Sequence, residues 1–185
     1  MQSRNKAVSG ITLVELLIVI AIVSVLSSIA LPALGHLLQS GHARSARSAL
    51  TVSISQARSS AIMHRRHVIA CPSTDQLQCE RSVKWHHGWL VFMDANDNGE
   101  RDHDEDIVGA SQAPDAGISI VSTRGRYRIR YQADGSADGS NLTLTVCDRR
   151  GPASASSLVM NNSGRLRSGK PSAAQAATAC AAIDT

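Results

Sequence analysis

The stretch Ser9-Gly10-Ile11-Thr12-Leu13-Val14-Glu15-Leu16-Leu17-Ile18-Val19 opens an apolar run that continues to Leu31, and its reading decides the fold. From Ile11 to Leu31 only Thr12, Glu15, Ser24, Ser27 and Ser28 interrupt the apolar side chains. At helical rise this run spans roughly 30 Å, the thickness of a bilayer core. Arg4 and Lys6 precede it, so the positive-inside rule keeps the extreme N-terminus cytoplasmic and sends the remainder outward. A Sec signal peptide has a shorter apolar core, and Ser28-Ile29-Ala30 is only a passable cleavage site. A plain signal anchor explains length and orientation but leaves Glu15 unexplained. An ionised carboxylate in an apolar helix costs about 2.5–3.5 kcal/mol on insertion scales, so Glu15 needs a partner or a function.

Outside this run the composition sets limits. The chain has 185 residues, 43% hydrophobic but 3% aromatic, which fits one folded domain plus an appendage. Trp85, Trp89, Phe92, Tyr127 and Tyr131 all lie in one central stretch, so everything before it must pack with aliphatic and small side chains. The mean hydropathy of −0.08 averages a greasy N-terminus with a polar remainder. A cytosolic globular enzyme is therefore a poor fit, and aromatic platforms for stacking bases are scarce. No HExxH, GxSxG or Walker spacing occurs, and the seven histidines form no catalytic pattern, so no enzyme activity is expected. His86 and His87 read as neighbours on opposite faces of a strand, and His64 and His67 as exposed helix-end residues.

The net charge of +4 hides blocks. Residues 36–70 hold Arg44, Arg47, Arg58, Arg65 and Arg66 with no acid; residues 94–106 hold seven acids against Arg101; residues 124–170 are again basic. Removal of residues 1–10 would take Arg4 and Lys6 away and leave +2, so any preference for an anionic partner must come from placement.

Past Pro32 the positions Ala43, Ala46, Leu50, Ile54, Ala57 and Ala61 recur in steps of three and four, an amphipathic stripe suited to packing on a sheet. Arg44, Arg47 and Arg58 fall on another face, either solvated or turned towards acidic neighbours or DNA. From residue 67 the period becomes twofold. Strands are expected over His67–Cys71, Gly88–Met93, Asp106–Ser111, Gly117–Ser122, Arg126–Gln132, Leu142–Cys147, Ser156–Met160 and Gly164–Ser168. The expected fold is α+β: a long N-terminal transmembrane helix, then an antiparallel β-sheet or sandwich head.

Four cysteines in an exported domain read as two disulfides. Of three pairings, Cys71–Cys79 with Cys147–Cys180 is preferred, closing a short loop at Pro72 and tying down the alanine-rich tail; a zinc site built from all four cysteines lacks the CxxC pairs it would need. Asp94-Ala95-Asn96-Asp97-Asn98-Gly99 with Glu105 fits the calcium-loop pattern D-x-[DN]-x-[DN]-G-x5-E, with Asp94, Asn96, Asn98 and Glu105 as ligands. The flanks read as strands and not as EF-hand helices, so a solvated hairpin with Asn and Asp turns competes with the metal reading.

The Gly10-Ile11-Thr12-Leu13-Val14-Glu15 segment resembles the class III leader and N-terminal helix of type IV pilins and pseudopilins. The resemblance implies prepilin peptidase cleavage after Gly10, methylation of Ile11, and a role for Glu15 in neutralising a neighbouring subunit's terminal ammonium. The family's usual first mature residue is Phe, and Ile11 departs from it. Gly88-Trp89-Leu90-Val91-Phe92-Met93-Asp94, the loop to Gly99, the Cys71 to Cys79 loop and Cys147-Asp148-Arg149-Arg150-Gly151 resemble the GspH/FimT branch, FimT-type members most of all. The implied organisation is a leader (1–10), a transmembrane and assembly helix (11–31), its amphipathic continuation (32–66) and a β-rich head (67–185). Implied partners are the inner membrane, prepilin peptidase, and other pilin and minor pilin subunits; the implied locations are the inner membrane with the head in the periplasm, then the extracellular pilus.

Two basic segments carry the functional expectation. Arg126-Tyr127-Arg128-Ile129-Arg130-Tyr131 alternates, so a strand would set Arg126, Arg128 and Arg130 on one face about 6.8 Å apart, close to the spacing of phosphates, unless the charges only protect an edge. Arg165 and Arg167 likewise share a side, with Leu166 inward and Lys170 nearby. Gly164-Arg165-Leu166-Arg167 resembles the Gly-Arg-x-Arg segment of FimT-type minor pilins that bind double-stranded DNA in natural transformation. Arg149 and Arg150 join these as candidate phosphate contacts. The competing expectation is a structural role, as a type II secretion pseudopilin or an assembly-initiating minor pilin whose arginines contact other subunits.

Overall fold

The structure, a computed structural model, describes residues 12–137 and 139–183. The expected leader, with Gly10 and Ile11, lies outside the described residues. Helix α1 (Leu13–His64) begins at Thr12, whose Oγ1 accepts the Glu15 N–H at 3.2 Å. This hydroxyl satisfies one of the orphan donors of a helix start, and the Glu15 carboxylate in the first turn complements the helix dipole.

The chain divides into two units, Met1–Leu38 and Gln39–Thr185. In the first, Leu, Ile and Val side chains from Leu13 to Leu38 are at least half exposed, and the helix is long and apolar enough to cross a membrane. Ser24 Oγ donates to Ile20 O and Ser28 Oγ to Val25 O, both at 2.7 Å, so these hydroxyls are satisfied by their own helix. The helix runs without interruption through Pro32.

In the second unit the remainder of α1 buries Ala46, Leu50, Ile54, Ala57 and Ala61, with Ala43 partly buried beside them, which is the stripe read from the sequence. Arg65 takes a left-handed conformation (φ 52°) just beyond the helix, and the chain turns into the sheets. Strands β1 (His67–Pro72), β2 (Gly88–Asp94), β3 (Ile107–Gln112) and β5 (Ile129–Tyr131) form one antiparallel sheet in the order β3-β2-β1-β5. Strands β4 (Ile118–Ser122), β6 (Leu142–Asp148), β7 (Ser156–Met160) and β8 (Leu166–Gly169) form the other, in the order β4-β6-β7-β8.

Alternation along the strands divides the apolar side chains among three clusters. The main core joins the α1 stripe to Val68, Ala70, Trp85, Trp89 and Val91 and, from the second sheet, Ile120, Leu144, Val146, Leu158 and Met160. On the opposite side of β1 and β2, Ile69, Cys71, Leu90 and Phe92 pack beneath Cys79. On the far face of the second sheet, Val121 and Cys147 pack under Ala179 of helix α2 (Ala173–Ala181). Cys71 is bonded to Cys79 and Cys147 to Cys180, so one bridge closes the loop after β1 and the other fastens α2 to β6.

Two local expectations are corrected, and one element is added. The alternating Arg126–Gln132 segment is a strand only over Ile129–Tyr131, because Arg126 N–H closes a turn onto Thr123 O at 2.9 Å instead of joining a ladder. The alanine-rich tail is a helix, started by a reciprocal capping box in which Ser172 Oγ accepts from Gln175 N (3.3 Å) and Gln175 Oε1 from Ser172 N (2.9 Å). His86 and His87 lie on a 3-10 turn, Trp85–His87, and not on a strand; His86 is buried with Nδ1 3.1 Å from Ile120 O.

Candidate nucleic-acid interface

The hairpin joining β7 to β8 is held by its own turn. Gly164 N–H donates to Asn161 O at 2.9 Å, and Asn161 Oδ1 accepts from Arg165 N (3.1 Å) and Ser163 Oγ (2.8 Å). Gly164 is buried with φ +73°, and a Cβ there would stand 2.1 Å from Gly135 O, so both conformation and space demand glycine. The turn is also anchored from the core side: Tyr131 OH donates to Gly164 O (3.3 Å), and Arg58 of α1 donates to Gly135 O (2.9 Å) and Ser163 O (3.3 Å). Burial pushes the Tyr131 phenol pKa above its usual range, so it stays a neutral donor. Arg58 is thus a positioning residue that binds backbone carbonyls of its own chain, whereas the sequence left it either solvated or turned towards acidic neighbours or DNA.

From this anchored turn the pleat alternates. Leu166 packs against the main core, while Arg165, just before β8, and Arg167, within it, are exposed two positions apart, about 6.8 Å at strand rise. Arg167 stands opposite Val159 on β8, the edge strand of its sheet. Arg165, Arg167 and Lys170 are all exposed, and among the described residues none of their charged ends has a hydrogen bond or ion pair within the chain.

The other basic candidates are placed differently. Arg126 is exposed and donates to Gly139 O at 2.6 Å. Arg128 donates to Gly99 O at 2.9 Å while lying over the Tyr127 ring, and Arg130 pairs with Asp97, which also meets His67 Nδ1 at 2.5 Å. The expected row of three arginines therefore does not form: the strand is too short, and two of the three grip the acidic loop. His67 likewise opens β1 facing Asp97 and is not an exposed helix end. Arg150 makes a two-pronged contact with buried Asp148 (Nε to Oδ1 3.0 Å, Nη2 to Oδ2 2.7 Å), which holds its guanidinium even more firmly protonated than usual. Arg149 is exposed and lies along Gly117, past the Asp148 end of β6, whereas Leu166 of β8 aligns through Met160 with Leu142 at the other end. Among the described residues Arg165, Arg167 and Lys170 thus keep their charged ends free, whereas Arg126, Arg128, Arg130 and Arg150 are engaged by protein acceptors and Arg149 lies at the other end of β6.

The acidic loop is internally bonded. Asp94 Oδ2 accepts Gly99 N (3.1 Å), Asn96 Oδ1 accepts Asn98 N (3.2 Å), and Asn98 Oδ1 accepts Glu100 N (2.7 Å). Glu105 accepts from Ala95 N (2.6 Å) and Asp102 N (3.1 Å). Among the described residues no group of three or more His, Cys, Asp or Glu is gathered to hold a metal ion.

Comparison with known proteins follows the same architecture. Residues 5–31 match the prokaryotic N-terminal methylation motif. The fold is similar to the type IV minor pilin FimU of Pseudomonas aeruginosa, at 15% identity and TM-score 0.55, over 79% of this chain and 97% of that one. It is also similar to the minor pseudopilin EpsH of the Type 2 Secretion System of Vibrio cholerae, at 12% identity and TM-score 0.51, over 71% of this chain and 98% of that one. At such identities the likeness is one of fold. Comparison with curated proteins gives no match. The match to type II transport protein GspH runs over residues 46–164, from the buried helix stripe to the Gly164 turn, and it places this chain in the GspH family of minor pilins and pseudopilins.

Proposed function

We propose that this chain is a minor type IV pilin that holds extracellular double-stranded DNA through Arg165, Arg167 and Lys170, for DNA uptake in natural transformation. The observation that supports this reading is the contrast among the arginines. Arg58, Arg128, Arg130 and Arg150 are engaged by protein acceptors, whereas Arg165, Arg167 and Lys170, in and beside the edge strand β8, are exposed and among the described residues have no partner for their charged ends. A guanidinium offers a planar fork of donors that suits phosphate. Trp85, Trp89, Phe92 and Tyr131 are buried, and the partly exposed Tyr127 ring is covered by Arg128, so none of the five aromatics is offered as a platform beside Arg165 and Arg167. Contact is then with the backbone, insensitive to sequence and strongly weakened by salt.

Prepilin peptidase would cleave after Gly10 before methylation of Ile11, with Glu15 meeting the terminal ammonium of a neighbouring subunit; the methylation-motif match over residues 5–31 supports that route. The chain would sit in the inner membrane with its head in the periplasm before joining the pilus.

The test is fluorescence anisotropy of labelled duplexes of unrelated sequence with the full chain in detergent. The Arg165→Gln/Arg167→Gln variant is expected to weaken all duplexes alike and to flatten the slope of log K against log salt by about 0.9 per lost phosphate contact. Unchanged binding and slope would remove the assignment. If a deletion strain lost secretion while transforming normally, the arginines would belong to contacts within a type II secretion pseudopilus.

A further inference from the structure

One atom of the acidic loop lacks a partner. Asp94, at the end of β2, is 2% exposed, and its Oδ1 is buried with no hydrogen-bond partner, while its Oδ2 takes the Gly99 N–H. Because that N–H belongs to the middle of the loop, the Asp94 carboxylate is turned towards the loop interior. A carboxylate oxygen only accepts, so a buried one without a donor calls for a donor or a cation.

The surroundings supply further oxygens at the right intervals. Counting Asp94 as the first position, Asn96 is third, Asn98 fifth, Glu100 seventh, Asp102 ninth and Glu105 twelfth. These are the positions from which a calcium loop draws its ligands, the seventh through its backbone carbonyl. Gly99 occupies the sixth with φ +78°, the sharp turn such a loop requires. Asp102 Oδ2 accepts from Asn96 Nδ2 (2.7 Å) and Asn98 Nδ2 (2.9 Å), so the third, fifth and ninth side chains already converge. Asn96 Oδ1 and Asn98 Oδ1 each accept one backbone N–H and keep a second lone pair for a cation. Glu105 is 5% exposed, and its two oxygens bridge both limbs of the loop through Ala95 N and Asp102 N. From outside, Arg128 holds Gly99 O and Arg130 holds Asp97, which fix the loop without occupying these groups.

We propose that Asp94, Asn96, Asn98, Asp102 and Glu105, with the Glu100 carbonyl, bind one calcium ion in an EF-hand-type loop carried between two β-strands. The number and mobility of these oxygens suit calcium; magnesium demands a tighter octahedron and gives up its waters reluctantly. The acids are not gathered beforehand, so binding closes the loop, and the affinity belongs with extracellular modules, at a Kd of roughly 0.1–1 mM.

The experiment is isothermal titration of the chelator-stripped full chain in detergent with calcium chloride, paired with thermal unfolding. One calcium per chain and a melting temperature that climbs with calcium are expected, with a much smaller response to magnesium. Asn98→Ala and Asp102→Asn, neither a buried residue, should keep the fold and weaken calcium binding at least tenfold. No heat and no thermal shift up to about 10 mM calcium, well above that range, would overturn the proposal. So would equal binding of magnesium, or unaltered calcium affinity in both folded variants.

Discussion

Replacing Gly164 with alanine tests whether the turn before β8 is set by close packing or only by backbone conformation. At φ +73° any L-residue pays a left-handed penalty of roughly 1–2 kcal/mol. The new Cβ would also stand 2.1 Å from Gly135 O and 3.0 Å from Tyr131 Cε1. The Gly135 carbonyl is held by Arg58, so relief must move backbone and disturb the Arg58 and Tyr131 hydrogen bonds, each contributing about 1 kcal/mol. The total is about 3–4 kcal/mol. Gly125 provides the comparison: its φ is +77° but nothing lies within 4 Å of its would-be Cβ, so Gly125→Ala should cost only the roughly 1–2 kcal/mol of conformation. At about 2–4 °C per kcal/mol, Gly164→Ala should lower Tm by about 10 °C and Gly125→Ala by about 4 °C. Both tryptophans are buried in the head, so their emission during thermal unfolding of the full chain follows the relevant unit. Equal losses in the two variants would refute the steric argument, and with it the claim that the Arg165 and Arg167 platform is positioned from below.

The two disulfides should differ in worth, since loop-closure entropy grows with the chain enclosed: for separations of 33 and 8 residues, Cys147→Ser/Cys180→Ser should cost about 3.7 kcal/mol and Cys71→Ser/Cys79→Ser about 2.5 kcal/mol. Urea unfolding measures both, and a reversed order would contradict the expectation. His86 predicts a pH dependence: burial lowers its pKa, outweighing the opposite pull of the Ile120 carbonyl, with Lys84 and His87 nearby adding to the lowering. Below the unfolded value of about 6.5 the unfolded chain binds the proton more readily than the folded one, so the contribution is complete above that pH and is lost as pH falls towards the depressed folded value. Unfolding midpoints should therefore fall from about pH 7.5 to about pH 5.5, and His86→Gln should flatten the decline; an unchanged decline in the variant would remove His86 as its source.

Much of the fold was legible because its signals are local. The stripe from Ala43 to Ala61 has helical period and is buried as that period demands, and the strands from His67 onward alternate with a period of two. The alanine-rich tail escaped notice because Ala173–Ala181 offers little contrast between faces; the signal that was there is Ser172 followed three residues later by Gln175. The Arg126–Tyr131 alternation misled for a related reason. It is a pattern a strand would satisfy, but the turn at Thr123 and the pull of Asp97 and Gly99 on Arg130 and Arg128 outweighed it.

Charge marks the boundary between what sequence and tertiary structure each decide. The sequence by itself determined the apolar helix, the change from helical to strand period, the cysteine count and the blocks of acid and base, because each depends on residues a few positions apart. Only the tertiary structure decided which cations remain available. Arg58 reaches Gly135 and Ser163, Arg128 and Arg130 reach a loop roughly thirty residues earlier, and Arg165 and Arg167 are left facing outward. An ion pair or hydrogen bond acts over a few ångströms in space, and which residues come within that distance depends on the packing of helix and sheets, which no local period encodes.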